Sequence, residues 1–341
     1  MNIAHATTGP VFDHLHRLTD GRGLFEHALH ENPRPEHGYC LDDVARALVV
    51  ICHEPGPSPR LRALGSRYLE FTLAAVQADG ACHNRMSTDG AWGDEASLGD
   101  WWGRALWGLG VAAAHAPTVA MRARAVLGFR MAARRRSEHL HAMAFAALGA
   151  GELLLRRPGE LAAQELLRDS VTAIGRANPD PSWPWPEARL TYGNGSIVEA
   201  LLLAGQALNE PATSMHGLQL LEFLLHTETS GAHLSVTPVG GRGPADPKPG
   251  FDQQPIEVAA LADACARAYE VTEDKRWREG VRMAWAWFAG DNDAGVPMFE
   301  PTTGGGFDGL QQNGRNLNQG AESTLALLST GQHARRLAVL A

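Results

Sequence analysis

Five short stretches of the sequence place acids, amides and aromatic residues just before, or in the first turn of, an apolar helix pattern. They are Gly38–Leu48, Gly99–Leu106, Tyr192–Ser196, Phe251–Glu257 and Asn318–Glu322. The first two share a register, with Asp100 at the position of Asp42 and Arg104 at that of Arg46. If these helices are parallel neighbours, their polar starts converge on one surface. That surface is the candidate active site.

Four carboxylates could supply acid and base groups there: Asp43, Asp100, Glu187 and Asp252. Cleavage of a glycosidic bond needs a carboxylic acid to protonate the leaving oxygen and a carboxylate to activate water or to attack the sugar. Glu187 follows two tryptophans, and a nearby indole raises the pKa of a carboxyl group by removing water from it. Its alternative interpretation is a loop carboxylate bonded to Arg189.

The adjacent aspartates of the first stretch have different expected roles. Asp42 suits a helix cap whose carboxylate accepts backbone NH groups and pairs with Arg46 one turn later. Asp100 and Arg104 repeat that arrangement. An adjacent residue points about 100° further round the helix. We therefore expect Asp43 to face the cavity.

Polar and aromatic residues around these acids are the candidate substrate contacts. Trp183 and Trp185 lie in a proline-punctuated loop, which favours stacking on a sugar ring over burial. Glu257 and Glu322 each follow a glutamine by three residues, so a capping-box role is the alternative for both. Pro255 suits a first helical position, which makes Gln254 the expected cap and leaves Asp252 in the loop. The full set comprises Tyr39, Asp42, His83, Asn84, Trp101, Trp183, Trp185, Tyr192, Gln253, Gln254, Glu257, Gln319 and Glu322.

No pattern in the sequence predicts a metal or a cofactor. His139 and His141 would point to different faces of a helix, unlike the pair four residues apart that shares a zinc ion. The glycines at 304–306 lack the lysine and hydroxyl of a phosphate-binding loop.

Composition is that of an ordinary globular protein. The 341 residues are 44% hydrophobic and 20% charged, with a formal charge of −8, which argues against a nucleic-acid partner. Four scattered cysteines form no CxxC pair, so we expect reduced thiols and a cytoplasmic protein. Met1 to Thr8 show no secretory signal, and no window is apolar enough for a membrane span. The sequence does not determine the oligomeric state, and a homodimer is compatible with it.

Apolar and amphipathic helix patterns alternate along the chain with a period of about 50 residues, which is typical of repeated helical hairpins. The final apolar helix lies near the C-terminus with little to cover it, whereas an open solenoid needs polar capping repeats. Closure on the first hairpin would cover it. The sequence therefore predicts an all-α (α/α)6 toroid of six inner and six outer helices in a single domain, residues 1–341. The predicted inner helices are Asp42 to Cys52, Asp100 to Ala114, Glu138 to Leu155, Ser196 to Leu208, Gln254 to Ala268 and Gln319 to Ser329.

The chain resembles the (α/α)6-barrel carbohydrate-active enzymes, which include glycoside hydrolases and sugar epimerases of the acylglucosamine epimerase type. The stretches that carry the resemblance are Gly38–Leu48, Trp183–Ala200, Phe251–Ala259 and Asn318–Thr324. It is also similar to bacterial proteins found beside, or fused to, glycosyltransferases. The chain departs from the family pattern at Trp101 and Trp102, where small polar residues are usual. The resemblance implies a carbohydrate substrate but no particular reaction, because one fold hosts several chemistries.

Our main hypothesis is a glycoside hydrolase that uses a pair among Asp43, Asp100, Glu187 and Asp252. The alternative within the enzyme class is a sugar epimerase or isomerase, which would need proton-carrying histidines at the inner-helix starts. A third possibility is a non-catalytic glycan-binding module that assists a glycosyltransferase. Such a module would keep the tryptophans and tolerate loss of the acids.

Overall fold

The computed structural model describes residues 11–340, and within them inner and outer helices alternate along the chain. The inner helices are α2 (Leu41–His53), α4 (Asp100–His115), α6 (Leu140–Arg156), α8 (Asn194–Ala207), α10 (Pro255–Thr272) and α12 (Ala321–Arg336). The outer helices are α1 (Asp13–Arg17), α3 (Pro59–Ala75), α5 (Val119–Ala132), α7 (Leu161–Ile174), α9 (Pro211–Thr227) and α11 (Lys275–Ala289).

The inner helices form a closed ring. Each packs against the next, and α12 contacts both α10 and α2, so the last inner helix completes the circle. The short α1 packs against α12 and supplies the sixth outer position. The predicted (α/α)6 toroid is therefore confirmed, and the expected reason holds: the C-terminal apolar helix is covered by the start of the chain.

Sequence patterns distinguish the two layers. In α6 every residue from His141 to Leu154 is buried, which requires neighbours on all sides. In α11 only one stripe is buried, including Trp277, Val281, Ala284 and Phe288, at the three- and four-residue spacing of an amphipathic helix. The last inner helix is longer than predicted, because α12 continues without a break from Ala321 to Arg336.

Glycines allow α4 and α6 to approach closely. A Cβ placed on Gly110 would overlap the carbonyl oxygen of Gly149, and a Cβ on Gly149 would overlap that of Leu106. The two helices thus touch backbone to backbone. This contact fixes the spacing on one side of the ring.

Extended structure in the described residues is limited to two-stranded antiparallel pieces in the loops. One of them, β3 with β4, joins the segment before α2 to the long loop before α4. The strands are β1 (Ala28–Leu29), β2 (Asn32–Pro33), β3 (Tyr39–Cys40), β4 (Arg85–Met86), β5 (Thr229–Ser230), β6 (His233–Leu234), β7 (Phe299–Glu300), β8 (Gly305–Gly306), β9 (Gly309–Gln311) and β10 (Gly314–Asn316). A 3-10 turn covers Pro35–His37.

None of the helices between residues 11 and 340 combines the length and the apolar character needed to cross a bilayer. The prediction that Met1 to Thr8 carry no secretory signal concerns a segment outside the described residues.

Replacing Gly110 with alanine should destabilise the protein. Alanine is the better helix former by about 1 kcal/mol, but here its methyl group would force two helix backbones apart. Overpacking of this kind costs about 1–3 kcal/mol or more. We expect a lower midpoint of chemical denaturation for Gly110→Ala. The matched control is Gly159→Ala. Gly159 is exposed, and no atom lies within 4 Å of the position that a methyl group would take there. Equal stability of the two variants would contradict the close contact between α4 and α6.

Candidate active site

The amino ends of five inner helices, α2, α4, α8, α10 and α12, border one open cleft with a volume of about 450 Å³. The convergence that the sequence predicted is thus present. The residues that line the cleft are Glu26, His27, Cys40, Asp42, Asp43, Arg46, Asn84, Arg85, Asp100, Trp101, Arg104, Tyr192, Gln254, Ile256, Asp308, Gly320, Glu322 and Ser323.

Asn84 caps the first of these helices. Its backbone oxygen accepts a hydrogen bond from the NH of Leu41 at 2.8 Å, and its Oδ1 lies 3.4 Å from the NH of Asp42. Asn84 is held in turn by the Oδ2 of Asp94, which accepts from its NH at 2.7 Å. The expected cap role of Asp42 is therefore wrong, because the long loop before α4 supplies the cap and leaves both aspartates free for other partners.

The guanidinium of Arg46 joins three carboxylates beneath the cleft. It donates to Asp42 at 2.5 Å, to Asp43 at 2.7 Å and to Glu322, which lies on α12, at 2.9 Å. The Arg46 side chain is 9% exposed. Because breaking a buried ion pair leaves an uncompensated charge, this network ties the first inner helix to the last one.

Arg104 does not pair with Asp100, contrary to the sequence prediction. Its Nε lies 3.4 Å from Oδ1 of Asp42, and its guanidinium carbon lies 3.5 Å from the centre of the Phe145 ring. The second stretch therefore repeats the first in sequence but not in its contacts, since Arg104 turns toward Asp42.

The two adjacent aspartates have opposite pKa shifts. Burial raises the pKa of Asp43 well above its usual range; the charge of Arg46 opposes this, while Asp42 and Glu322 add to it. Burial also acts to raise the pKa of Asp42, but the charges of Arg46 and Arg104 outweigh it and hold that pKa below its usual value. Of the two, Asp43 is therefore the group that keeps its proton to higher pH, as a general acid must.

Asp100 lies at the α4 side of the cleft and is held by an aromatic residue from another repeat. The hydroxyl of Tyr192 donates to its Oδ2 at 2.6 Å. The Tyr192 ring stacks on His141, with centroids 4.4 Å apart, and remains 43% exposed. Burial and then this hydrogen bond raise the pKa of Tyr192, so the phenol remains a donor at neutral pH.

Other predicted contacts also line the cleft. Trp101 is partly exposed and its Nε1 donates to the carbonyl of Cys82 at 2.9 Å. Gln254 occupies the N-cap position of α10 without a side-chain cap bond, which leaves its amide available. Glu322 is 37% exposed at its side chain while bonded to Arg46.

Glu257 has a structural role. Its Oε1 accepts from the NH of Gly193 at 2.6 Å, and its Oε2 accepts from the side-chain amide of Asn194 at 2.9 Å. It therefore caps the start of α8 from the neighbouring helix. Burial, reinforced by the charge of Glu228, raises the pKa of Glu257 to about 8. A small cavity beside the cleft contacts it, together with Tyr192 and Gln254.

The expected sugar-stacking tryptophans are buried. Trp183 is 6% exposed and Trp185 is fully buried, and both pack against Phe223 of the outer helix α9. Glu187 lies in the same loop and does not line the cleft, although burial raises its pKa as predicted. The error came from treating a proline-rich loop as exposed, whereas this loop folds back onto the outer layer.

Several other predicted residues lie away from the cleft. Asp252 is exposed, and its Oδ2 is 3.5 Å from the amide of Gln311. Gln253 is buried, with its amide nitrogen bonded to Asp293 at 2.6 Å. Gln319 is also buried, and its backbone oxygen accepts from His14 at 2.8 Å. The amide nitrogen of Gln253 is thus used inside the protein, whereas Asp252 faces solvent without lining the cleft.

Two residues expected near the first motif are also structural. The hydroxyl of Tyr39 donates to Asp20 at 2.6 Å, and its ring stacks on Phe25. The ring of His83 stacks on Trp92, and its Nδ1 bonds the backbone oxygen of Asp94 at 2.7 Å. Both stabilise loops behind the cleft.

Sequence reasoning missed several polar residues of the cleft, among them Glu26, His27, Arg85 and Asp308. These four come from loops and, for Arg85, from the two-residue strand β4, where no periodicity points to a common face. Arg85 pairs with Glu26 across two such loops. Asp308 accepts from the NH of Gly320 at 2.7 Å, and burial raises its pKa.

Comparison with solved structures supports the fold. A sugar epimerase from a ruminal bacterium superimposes with a TM-score of 0.75 at 11% identity, covering 97% of both chains. The cellulase Cel9M of C. cellulolyticum in complex with cellobiose gives 0.65 at 9% identity, covering 92% of this chain and 88% of the other. An inactive variant of an α-1,6-mannanase from Salegentibacter sp. HEL1_6, bound to α-1,6-mannotetrose, gives 0.66 at 11% identity, covering 94% and 95%. Neither a family model nor a curated protein sequence matches the chain. At these identities the likeness establishes the (α/α)6 toroid.

Replacing Arg46 with alanine should destabilise the protein by about 3–5 kcal/mol, the usual result of removing one partner of a buried ion pair. The loss should shrink as the pH falls, because Arg46 holds the pKa of Asp42 below its usual value and protonation of Asp42 removes the uncompensated negative charge. The measurement is urea denaturation at neutral and acidic pH. The control is Arg276→Ala, since Arg276 and its partner Glu222 are each 53% exposed and such pairs contribute about 0–1 kcal/mol. A pH-independent loss would contradict the electrostatic role of Arg46.

Proposed function

We propose that the chain is a carbohydrate-active enzyme that hydrolyses a glycosidic bond in the cleft at the amino ends of the inner helices. The observation that carries the proposal is the pair of environments around Asp43 and Asp100. Asp43 is a buried carboxyl group with a raised pKa, and Asp100 lies in the same cleft with a phenol hydrogen bond. Partly exposed rings of Trp101 and Tyr192 border them and suit the apolar face of a sugar.

In this proposal Asp43 is the general acid. Its Oδ1 accepts from Arg46, so the proton belongs on Oδ2, and it passes to the glycosidic oxygen as the bond to the anomeric carbon breaks. Asp100 accepts a proton from the water that attacks the anomeric carbon, or attacks that carbon itself; in the second case water then displaces Asp100 from the sugar and gives its proton to the Asp43 carboxylate. The first route requires carboxyl groups about 6.5–9.5 Å apart and the second about 5–5.5 Å.

The neighbouring network prepares Asp43 for this role. Arg46 fixes its rotamer by a 2.7 Å hydrogen bond, and the charge of Asp42 disfavours a second negative charge beside it. Asp42 remains ionised because two arginines surround it. The mannanase similar in fold offers a parallel, since its inactive variant has two adjacent aspartates replaced. This chain carries adjacent aspartates at its cleft.

The second candidate is a sugar epimerase or isomerase. A histidine, His27, lines the cleft, and proteins named as a cellobiose 2-epimerase and a D-mannose isomerase share the fold at 12% and 10% identity. Proton transfer at a carbon next to a carbonyl needs a base with a pKa near the working pH, for which an imidazole is suited. Such a reaction would incorporate deuterium from D₂O at the sugar C2 without breaking a glycosidic bond.

A hydrolysis screen over an oligosaccharide library tests the main proposal. With a good substrate, Asp43→Asn should lower kcat about 10²–10⁴-fold, the usual contribution of a general acid. Asp79→Asn is the matched control, since Asp79 is exposed, pairs with Arg135 and does not line the cleft. Wild-type rates in both Asp43→Asn and Asp100→Asn would contradict the assignment. Retained glycan binding with no turnover by the wild type would favour the non-catalytic module.

The pH dependence of kcat/KM offers a separate test. A general acid must be protonated, so activity should fall as the pH rises through its pKa. Because burial raises the pKa of Asp43, that alkaline limb should lie above the ordinary aspartate value of about 3.9. Arg46→Met removes the opposing positive charge and should move the limb to still higher pH. A shift toward lower pH in that variant would contradict the role of Asp43.

A further inference from the structure

The barrel has a second large cavity, at the carboxyl ends of the inner helices. It has a volume of about 720 Å³ and contains the last turns of α2, α4 and α6. A narrow cavity of about 40 Å³ lies between it and the cleft, lined by Arg46 and Arg104 on one side and by Asp263 and Ser329 on the other. The carboxyl-end cavity shares no lining residue with the cleft, and the proposed hydrolysis makes no use of it.

Three potential metal ligands meet in this cavity. They are His53 at the end of α2, His115 at the end of α4 and Glu152 in the last turns of α6. Each offers one ligand atom, and these atoms all lie within 4.8 Å of one another. The Nε2 of His115 is 2.9 Å from Oε2 of Glu152, and the two imidazole rings are 5.5 Å apart at their centres.

Two imidazoles and one carboxylate are a known ligand set for zinc, in which a fourth position stays open to water or another ligand. Zinc bonds of about 2.0–2.1 Å in a tetrahedron place ligand atoms about 3.3 Å apart. The observed spacing therefore needs side-chain movements of about 1 Å. The surrounding helix ends favour a cation as well, because the carboxyl terminus of a helix carries partial negative charge.

A buried acid with an unpaired oxygen also lines this cavity and would be stabilised by a nearby cation. Glu199 is 8% exposed, and its Oε2 is buried with no hydrogen-bond partner among residues 11–340. Its other oxygen lies 3.7 Å from Arg267, but that guanidinium is already bonded to Glu152 and, at 2.7 Å, to Glu270. Glu270 is also paired with Arg336, so Glu152 and Glu199 are the two carboxylates that share Arg267 without a second arginine. A divalent ion on Glu152 would supply the remaining positive charge.

We propose that His53, His115 and Glu152 bind one Zn²⁺ ion in the carboxyl-end cavity. The ion links three consecutive inner helices and leaves one coordination position facing the cavity. The sequence expectation that no metal is bound rested on His139 and His141, neither of which belongs to this cluster. The three ligands are separated by loops and outer helices in sequence, and the side-by-side packing of α2, α4 and α6 brings them together.

Metal binding to the full-length chain tests the proposal. Protein stripped with a chelator should take up one equivalent of Zn²⁺ in equilibrium dialysis, and its Tm should rise with Zn²⁺ because a ligand bound only by the folded state stabilises it. His115→Ala and His53→Asn should each weaken binding at least tenfold and remove the rise in Tm. His139→Ala is the matched control, since His139 is exposed outside the cluster, and it should bind as the wild type does.

Circular dichroism checks that each variant folds. If His115→Ala fails to fold, His53→Asn decides the result, because His53 is exposed to the cavity. The proposal is overturned if the wild type takes up no Zn²⁺, or if both histidine variants bind it normally. It is also overturned if binding is lost in Asp43→Asn but kept in the histidine variants. That outcome would place the ion on the acids of the amino-end cleft, where Asp42, Asp43 and Glu322 also lie close together.

Discussion

A single buried guanidinium holds the amino end of this barrel together. Arg46 bonds two adjacent aspartates on its own helix and a glutamate on the last inner helix, at the seam where the ring closes. Removing water from these groups is costly, and the cost is offset only while all the partners are present. The same network separates the pKa values of Asp42 and Asp43. Arg46 therefore links the seam of the ring to the chemistry of the cleft.

The two ends of the barrel differ in electrostatics for a reason that lies in the backbone. Six parallel inner helices direct their free NH groups to one end and their free carbonyl groups to the other. The amino end can accommodate the acids of the cleft, and Asn84 and Glu257 cap helices there. The carboxyl end collects histidines and arginines among its acids. Each end is thereby suited to a different class of ligand.

The layer pattern of the fold could be predicted from the sequence because it depends on local information. Inner helices such as α6 are apolar on every side, outer helices such as α11 have one apolar stripe, and the two alternate regularly. The prediction of a closed ring, and not an open solenoid, followed from the final apolar helix, which has little sequence after it that could cover it. Asp43, Asp100, Trp101 and Tyr192 reached the cleft because they belong to the repeated helix starts.

The loops could not be predicted in the same way, since their paths depend on tertiary contacts. Trp183 and Trp185 are buried by Phe223, which lies on an outer helix about 40 residues later in the sequence. His27 and Asp308 reach the cleft from irregular segments with no pattern of their own. Arg104 contacts Asp42 and not Asp100, which is nearer to it in sequence, because the inner helices pack side by side.

A crystal structure with a bound oligosaccharide tests the central claim most directly. Our account places a sugar ring against Trp101 or Tyr192, with a glycosidic oxygen within hydrogen-bonding distance of Asp43. A sugar bound only at the carboxyl end of the barrel, or in the cleft with Asp43 out of reach, would contradict it.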